Sequence, residues 1–217
     1  MIDLHTHSLF SDGELLPSEL IRRAGVIGVR AIAITDHVDF SNFRFVIEHV
    51  KAVAVQFTEK KNGVTVLTGV EITHVPPPDI PALIELSRKA GADVVVIHGE
   101  TIVEPVAPGT NRAGIEGGAD IIAHPGLISP EDAGLAAKRG VCLEISGRRG
   151  HSFSNGYVAM VAKKTGAKLV FNTDTHTDRD LMDFDYALKV VKGAGLSDAD
   201  FTEMLENSRK IARREEP

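Results

Sequence analysis

The sequence predicts a parallel α/β barrel of seven βα units in a single domain, and three observations predict it. Short apolar runs alternate with helix-like segments from one end to the other, the connections between them are brief, and glycines stand where helices should stop. A closed barrel resembling the eightfold one with a unit missing accommodates seven strands in a chain of 217 residues. An open doubly wound sheet is the alternative arrangement of the same units.

The strand candidates, in order, are Ile2 to His5, Ala31 to Thr35, Val64 to Ile72, Asp93 to Ile97, Asp120 to Ala123, Val141 to Ile145 and Lys168 to Asn172. Each is a short run rich in β-branched or apolar residues, as a strand buried on both faces requires. Helix starts are legible at Pro17-Ser18-Glu19 and at Ser129-Pro130-Glu131-Asp132, where a serine cap precedes a proline suited to the first turn. Gly28, Gly91, Gly118, Gly140 and Gly166 mark the stops, each a few residues before a strand. The C-terminal part, residues 178–214, reads as helices laid over the outside or bottom of the barrel.

Composition narrows the class. The chain is 43% hydrophobic and 25% charged, which is ordinary for a folded globular protein. No run of apolar residues is long enough to span a bilayer, and the opening Met1-Ile2-Asp3 has no basic region followed by an apolar one. A cytoplasmic location is therefore expected. A net charge of -6 argues against a nucleic-acid surface, which needs clustered cations, and the short basic tail from Ser208 to Arg214 fits the last turn of a helix. The single cysteine, Cys142, lies in an apolar run and is expected to be a buried, unreactive thiol.

The chemistry lies at the strand ends. His5 and His7 close the first strand, His37 follows the second, Glu71 ends the third, His98 and His124 end the fourth and fifth, and Asp174 and His176 follow the seventh. In a parallel barrel all these ends share one rim, so ligands far apart in sequence converge there. Residues i and i+2 of a strand point to one face, which lets His5 and His7 aim at a single ion and gives Asp174 and His176 the same geometry. Imidazole and carboxylate ligands without thiolate favour a catalytic site for zinc, manganese or iron over a structural zinc site.

These residues are also those of a known family. Asp3-Leu4-His5-Thr6-His7-Ser8 with Ser11-Asp12-Gly13, Ile34-Thr35-Asp36-His37, Gly69-Val70-Glu71, His98, Ala123-His124-Pro125-Gly126 and Thr173-Asp174-Thr175-His176 resemble, in order, the motifs of the PHP (polymerase and histidinol phosphatase) family. The resemblance implies a distorted (β/α)7 TIM-like barrel holding two or three divalent transition-metal ions. His5, His7, Glu71 and Asp174 would hold the first ion. Glu71, His98 and His124 would hold the second, with Glu71 bridging, and Asp12, His37 and His176 the third. Asp12 stands where some relatives have histidine.

Such a cluster suits phosphate-ester hydrolysis, since bridged cations bring a water toward ionisation near neutrality and stabilise charge on phosphoryl oxygens. Arg148-Arg149-Gly150-His151, after the sixth strand, offers groups to clamp the phosphate or to donate a proton to the leaving alkoxide. Glu71, Arg148 and His151 are thus the candidates for direct catalytic roles. His74 is a loop residue near the rim, and His49 lies within a helix and outside the site. Specificity is expected from the connection Gly99 to Gly118, where Glu100, Glu104, Asn111 and Arg112 could read an amine or hydroxyl. The expected substrate is a small phosphorylated metabolite, on the pattern of a histidinol phosphatase. A nuclease or nucleotide phosphodiesterase is the alternative, and a non-catalytic metal-stabilised binding domain the third reading.

Overall fold

Parallel strands wrap into a nearly closed barrel ringed by eight helices, in a computed structural model that describes residues 1–59 and 63–213. The strands are β1 (Ile2–Asp3), β2 (Ala31–Ile34), β3 (His37–Val38), β4 (Thr65–Ile72), β5 (Val94–His98), β6 (Ile121–Ala123), β7 (Cys142–Ser146) and β8 (Leu169–Asn172). They run side by side in the order β1-β2-β4-β5-β6-β7-β8, every pairing parallel, and β3 pairs with β4 beyond the end of β2. β2 and β3 therefore form one stave interrupted at Thr35 and Asp36, which gives seven staves from eight segments. The helices are α1 (Pro17–Val26), α2 (Phe43–Glu59), α3 (Ile80–Ala90), α4 (Thr110–Gly117), α5 (Pro130–Arg139), α6 (Asn155–Thr165), α7 (Phe184–Gly193) and α8 (Asp198–Arg213).

Strand alternation sorts the side chains into two cores. Leu4, Ala33, Leu67, Val94, Val96, Ile121, Ala123, Cys142 and Val170 fill the barrel, whereas Ile32, Val70, Val95, Ile97, Ile122, Leu143, Ile145 and Phe171 face the helices. Counting by twos up the inner face reaches the rim: Leu67 and Gly69 lead to Glu71, Val94 and Val96 to His98, Cys142 to Glu144, and Val170 to Asn172. The interior is thus an apolar plug capped by polar groups.

The barrel closes through the segments just beyond β1 and β8. Thr6 and Thr175 form an isolated parallel bridge. The His7 amide donates to the Thr175 carbonyl at 2.8 Å and the Asp174 amide to the His5 carbonyl at 3.0 Å. Below them the Leu4 amide donates to Asn172 Oδ1 at 2.8 Å, and Thr173 Oγ1 to Asp3 Oδ2 at 2.5 Å. The first strand, expected to reach His5, stops its regular ladder at Asp3, and from Thr6 the chain bonds to two neighbours, Thr35 on one side and Thr175 on the other.

Helix ends follow local chemistry. Ser129 Oγ accepts from the Asp132 amide at 3.0 Å at the start of α5, while Gly91 and Gly140, with φ of 106° and 73°, end α3 and α5 in the left-handed conformation. The expected C-terminal helical region begins later than residue 178: residues 178–183 are turn and irregular structure, and Asp183 caps α7 by accepting from the Tyr186 amide. Residue 214 lies outside the described residues. No helix among the described residues is long and apolar enough to cross a membrane.

Candidate metal centre

All nine predicted ligands meet at the C-terminal rim. Their donor atoms fall into four overlapping sets, each within 4.8 Å: His7, Asp12, His37 and His176; His5, His7 and Glu71; His5, His124 and Asp174; and Glu71, His98 and His124. Glu71 stands at the middle. Its Oε1 lies 3.3 Å from His5 Nε2 and 3.5 Å from His124 Nε2, and its Oε2 lies 3.5 Å from His7 Nε2 and 2.8 Å from His37 Nδ1. The two oxygens thus face different groups of imidazoles, the disposition a bridging carboxylate requires. Asp174 Oδ1 stands 3.6 Å from His5 Nε2 and 3.4 Å from His7 Nε2, and its Oδ2 is 3.7 Å from His124 Nε2. Asp12 reaches in from a loop, Oδ1 lying 3.2 Å from His176 Nε2 and 3.4 Å from His37 Nε2.

Several ring nitrogens and carboxylate oxygens here are buried without a well-aligned hydrogen bond: His5 Nε2, both ring nitrogens of His7, both oxygens of Glu71, and Nδ1 of His98 and of His124. An isolated buried polar atom costs roughly 1–3 kcal/mol, so this concentration at one point fits side chains built around cations. The donor set, imidazole and carboxylate without thiolate, fits divalent transition metals.

Electrostatics follow from the crowding. Burial, then the adjacent His37 ring, push His7 down to about 3, which leaves it in the neutral form that ligates. Burial acts against His37 as well, yet Glu71 and Asp12 draw it up to about 10. His5 is likewise raised against its burial by Glu71, Glu144 and Asp174. Against their own burial, Glu71 and Asp174 are held below the usual carboxylate range, chiefly by His5.

The i, i+2 expectation needs correction for Asp174 and His176. β8 ends at Asn172, and Asp174 has φ of 53°, so a left-handed backbone, not strand alternation, aims its carboxylate. His124 and His74, with φ of 27° and 53°, share this trait, and they complete the positive-φ non-glycine residues among those described. Among the described residues, strained backbone of this kind is confined to the rim.

Around the metal-competent core the structure sorts the remaining candidates. Arg148 and His151 line a cavity of ≈ 300 Å³ above it, together with Thr73, His74 and Glu104. Arg148 Nη1 donates to the Asp174 carbonyl at 3.3 Å. His151 stacks on His124 with ring centroids 4.0 Å apart, its Nδ1 is 2.7 Å from Thr101 Oγ1, and burial followed by His124 pushes it down to about 3. Arg149 is exposed and outside the cavity. His49 packs on Phe45 along α2 and on Phe10, and it joins none of the ligand groups, as expected.

Of the four specificity candidates, three do other work. Glu100 Oε1 accepts the Gly109 and Asn111 amides, Asn111 donates to the Pro125 carbonyl, and Arg112 pairs with Glu116 and Glu131. Glu104 alone enters the cavity, its Oε2 3.1 Å from His98 Nε2, and that hydrogen bond holds it down to about 2.

Sequence reasoning missed the supports. Glu144 is fully buried on the inner face and accepts from His5 Nδ1 and Asn172 Nδ2, each at 2.9 Å, and from the His124 amide at 3.3 Å. It orients two of the predicted ligands at once. Asp36 accepts from the Ser8 amide, Ser8 Oγ and Ser11 Oγ, all at 2.7 Å, and so fixes the turn that carries Asp12. The signal for Glu144 was present: a carboxylate inside Cys142-Leu143-Glu144-Ile145 cannot be buried without partners.

Comparison with known proteins agrees with this geometry. Residues 3–96 match the PHP domain family model. The chain is 47% identical over 207 residues to the uncharacterized protein MJ1295 of Methanocaldococcus jannaschii, covering 95% of this chain and 93% of that one. It is 29% identical over 223 residues to a probable phosphatase of Thermoanaerobacter sp., covering 91% and 88%. Among solved structures, those of the metal-dependent tyrosine phosphatases YwqE from Bacillus subtilis and CpsB from Streptococcus pneumoniae share the fold, with a TM-score of 0.67 at 17% identity over 100% and 96% of the two chains. Motif order, barrel and relatives converge: the chain belongs to the PHP domain family.

Proposed function

We propose that this protein is a metal-dependent phosphatase acting on small phosphomonoesters. The observation that carries the reading is the convergence of nine candidate ligand side chains, several with buried unpartnered donor atoms, beneath a cavity that holds an arginine. His5, His7, Glu71 and Asp174 would hold one ion, Glu71, His98 and His124 a second, and Asp12, His37 and His176 a third. Bound zinc, manganese or iron would supply Lewis acidity at the phosphoryl oxygens and activation of the attacking water.

The residues themselves set the rest. Arg148 is tethered to Asp174 through its Nη1, which leaves the guanidinium at the cavity wall to orient phosphoryl oxygens. His151 is kept neutral and has Nδ1 engaged with Thr101, so its Nε2 is positioned to hydrogen-bond the ester oxygen rather than to deliver a proton as an imidazolium. A cavity of ≈ 300 Å³ is at the small end for ligand pockets and suits a metabolite better than a polymer. Histidinol phosphate is one candidate by resemblance.

The test is phosphate release from a panel of phosphomonoesters by purified protein loaded with manganese or zinc. Turnover that is lost on chelation and restored by metal is the expected result. Failure of fully loaded protein to release phosphate from any ester would overturn the reading.

A further inference from the structure

The barrel carries a second cavity at the end opposite the candidate metal centre. It measures ≈ 410 Å³ and lies where strands begin: Asp93 precedes β5, Asp120 precedes β6, Cys142 opens β7 and Lys168 precedes β8, whereas the candidate ligands stand where strands finish. α8 forms one wall with Asn207, Lys210 and Ile211, and Asn207 Nδ2 pins that helix by donating to the Leu169 carbonyl at 2.9 Å.

The charges around this cavity are uneven. Four cations, Arg88, Arg139, Lys168 and Lys210, line it against two carboxylates, Asp93 and Asp120, in a chain whose net charge is -6. Both carboxylates serve the barrel itself. Asp120 Oδ2 accepts from Arg88 Nη2 and from the Val95 amide, each at 2.7 Å, and Asp93 Oδ2 accepts from the Thr68 amide at 3.0 Å. Arg139 Nη1 donates to the neutral Glu116 carbonyl at 3.2 Å, and among the described residues no carboxylate forms an ion pair with Arg139, Lys168 or Lys210. Three like charges around one concavity repel one another, and an anion placed among them relieves that repulsion. Guanidinium and ammonium groups suit phosphoryl oxygens, while Ala119, Cys142 and Ile211 supply an apolar stretch of wall.

We propose that this cavity binds a small organic diphosphate, its phosphoryl groups held by Arg139, Lys168 and Lys210 and its organic part laid against Ala119 and Ile211. One phosphoryl group carries a charge of about -2 at most, so three cations call for more than one. The volume falls within the range of small-molecule sites. None of the candidate metal ligands lines this cavity, so the proposal concerns binding without turnover and stands independently of the phosphatase reading.

The probe is methylenediphosphonate, titrated into zinc-loaded protein at buffered zinc and followed by amide nitrogen–proton spectra, which separate the two ends of the barrel. Saturable shifts should appear at the Ala119, Arg139, Gly140 and Asn207 amides. The Lys168→Gln, Lys210→Gln double variant should raise their midpoint at least about tenfold, and methylphosphonate, with its single phosphoryl group, should need about tenfold more to reach half-saturation in the unmodified protein. Shifts at the rim report the metal centre, or loss of its zinc, and should be the same in both proteins. Shifts confined to the rim, or a midpoint at the strand starts that the double change leaves in place, overturn the proposal. Equal midpoints for the two probes overturn the diphosphate class.

Discussion

Replacing Glu144 by glutamine removes one charge and almost no volume, yet it should loosen the metal centre. Glu144 receives three donors, from His5 Nδ1, Asn172 Nδ2 and the His124 amide, and each of its oxygens is used. A glutamine offers one acceptor oxygen and turns an NH2 toward donors on the other side. The charge-assisted bond to His5 accounts for roughly 1.5–3 kcal/mol. With that bond weakened, the His5 ring is free to turn its Nε2 away from Glu71 and Asp174, and metal affinity should fall about 10–100-fold. Competition titration of zinc against a chromophoric chelator reads this directly, with circular dichroism confirming that the variant remains folded. Undiminished affinity in a folded Glu144→Gln protein would refute the idea that the carboxylate holds His5 in its ligating pose.

Other consequences can be checked independently. Changing His5 and His7 together to alanine should reduce phosphate release to background and lower the metal content measured by plasma mass spectrometry; persistent activity would place the chemistry elsewhere. Gly126→Ala forces a Cβ to 1.8 Å from the Glu100 carbonyl at a φ of 62°, which should destabilise by about 2 kcal/mol or more and lower Tm by several degrees. An unchanged melting curve would contradict that packing. Burial pushes the Cys142 thiol up to about 12, so iodoacetamide at pH 8 should label it only after denaturation. Burial also raises Asp3 to about 6 in the fold, above its unfolded value, so the native state binds the proton more tightly. Its contribution to stability is therefore full below about pH 4 and falls through pH 6, a span on the order of 2–3 kcal/mol. Urea unfolding of metal-free protein should show that slope, and Asp3→Asn should flatten it.

The seven staves were legible because a parallel barrel buries both faces of every strand, so each appears as a bare apolar run such as Val94 to Ile97. The clustering of the candidate ligands was legible for the same reason: a histidine or glutamate at the end of such a run has nowhere to go but the rim. The break between β2 and β3 was not, since Thr35 and Asp36 read as the end of a strand and only the β4 register shows that pairing resumes at His37. Nor could spacing reveal that Glu100 and Asn111 spend their polar atoms on neighbouring backbone, or that Asp174 adopts a left-handed conformation. Those facts depend on contacts between loops, which carry no periodicity.

The bridge between Thr6 and Thr175 joins parts of the chain that lie far apart in sequence. Contacts of such long separation are the most demanding of chain entropy and the slowest to form. His5 and His7 flank one side of that bridge and Asp174 and His176 the other, so a nascent chain offers only fragments of the ligand set until residue 176 has emerged and the two ends have met. The full set of candidate ligands is therefore assembled only after the two ends have joined. An ion seated across the join would act as a rivet, and stripping it should accelerate hydrogen exchange first at the His7 and Asp174 amides, while the distant amides of β5 and β6 stay protected.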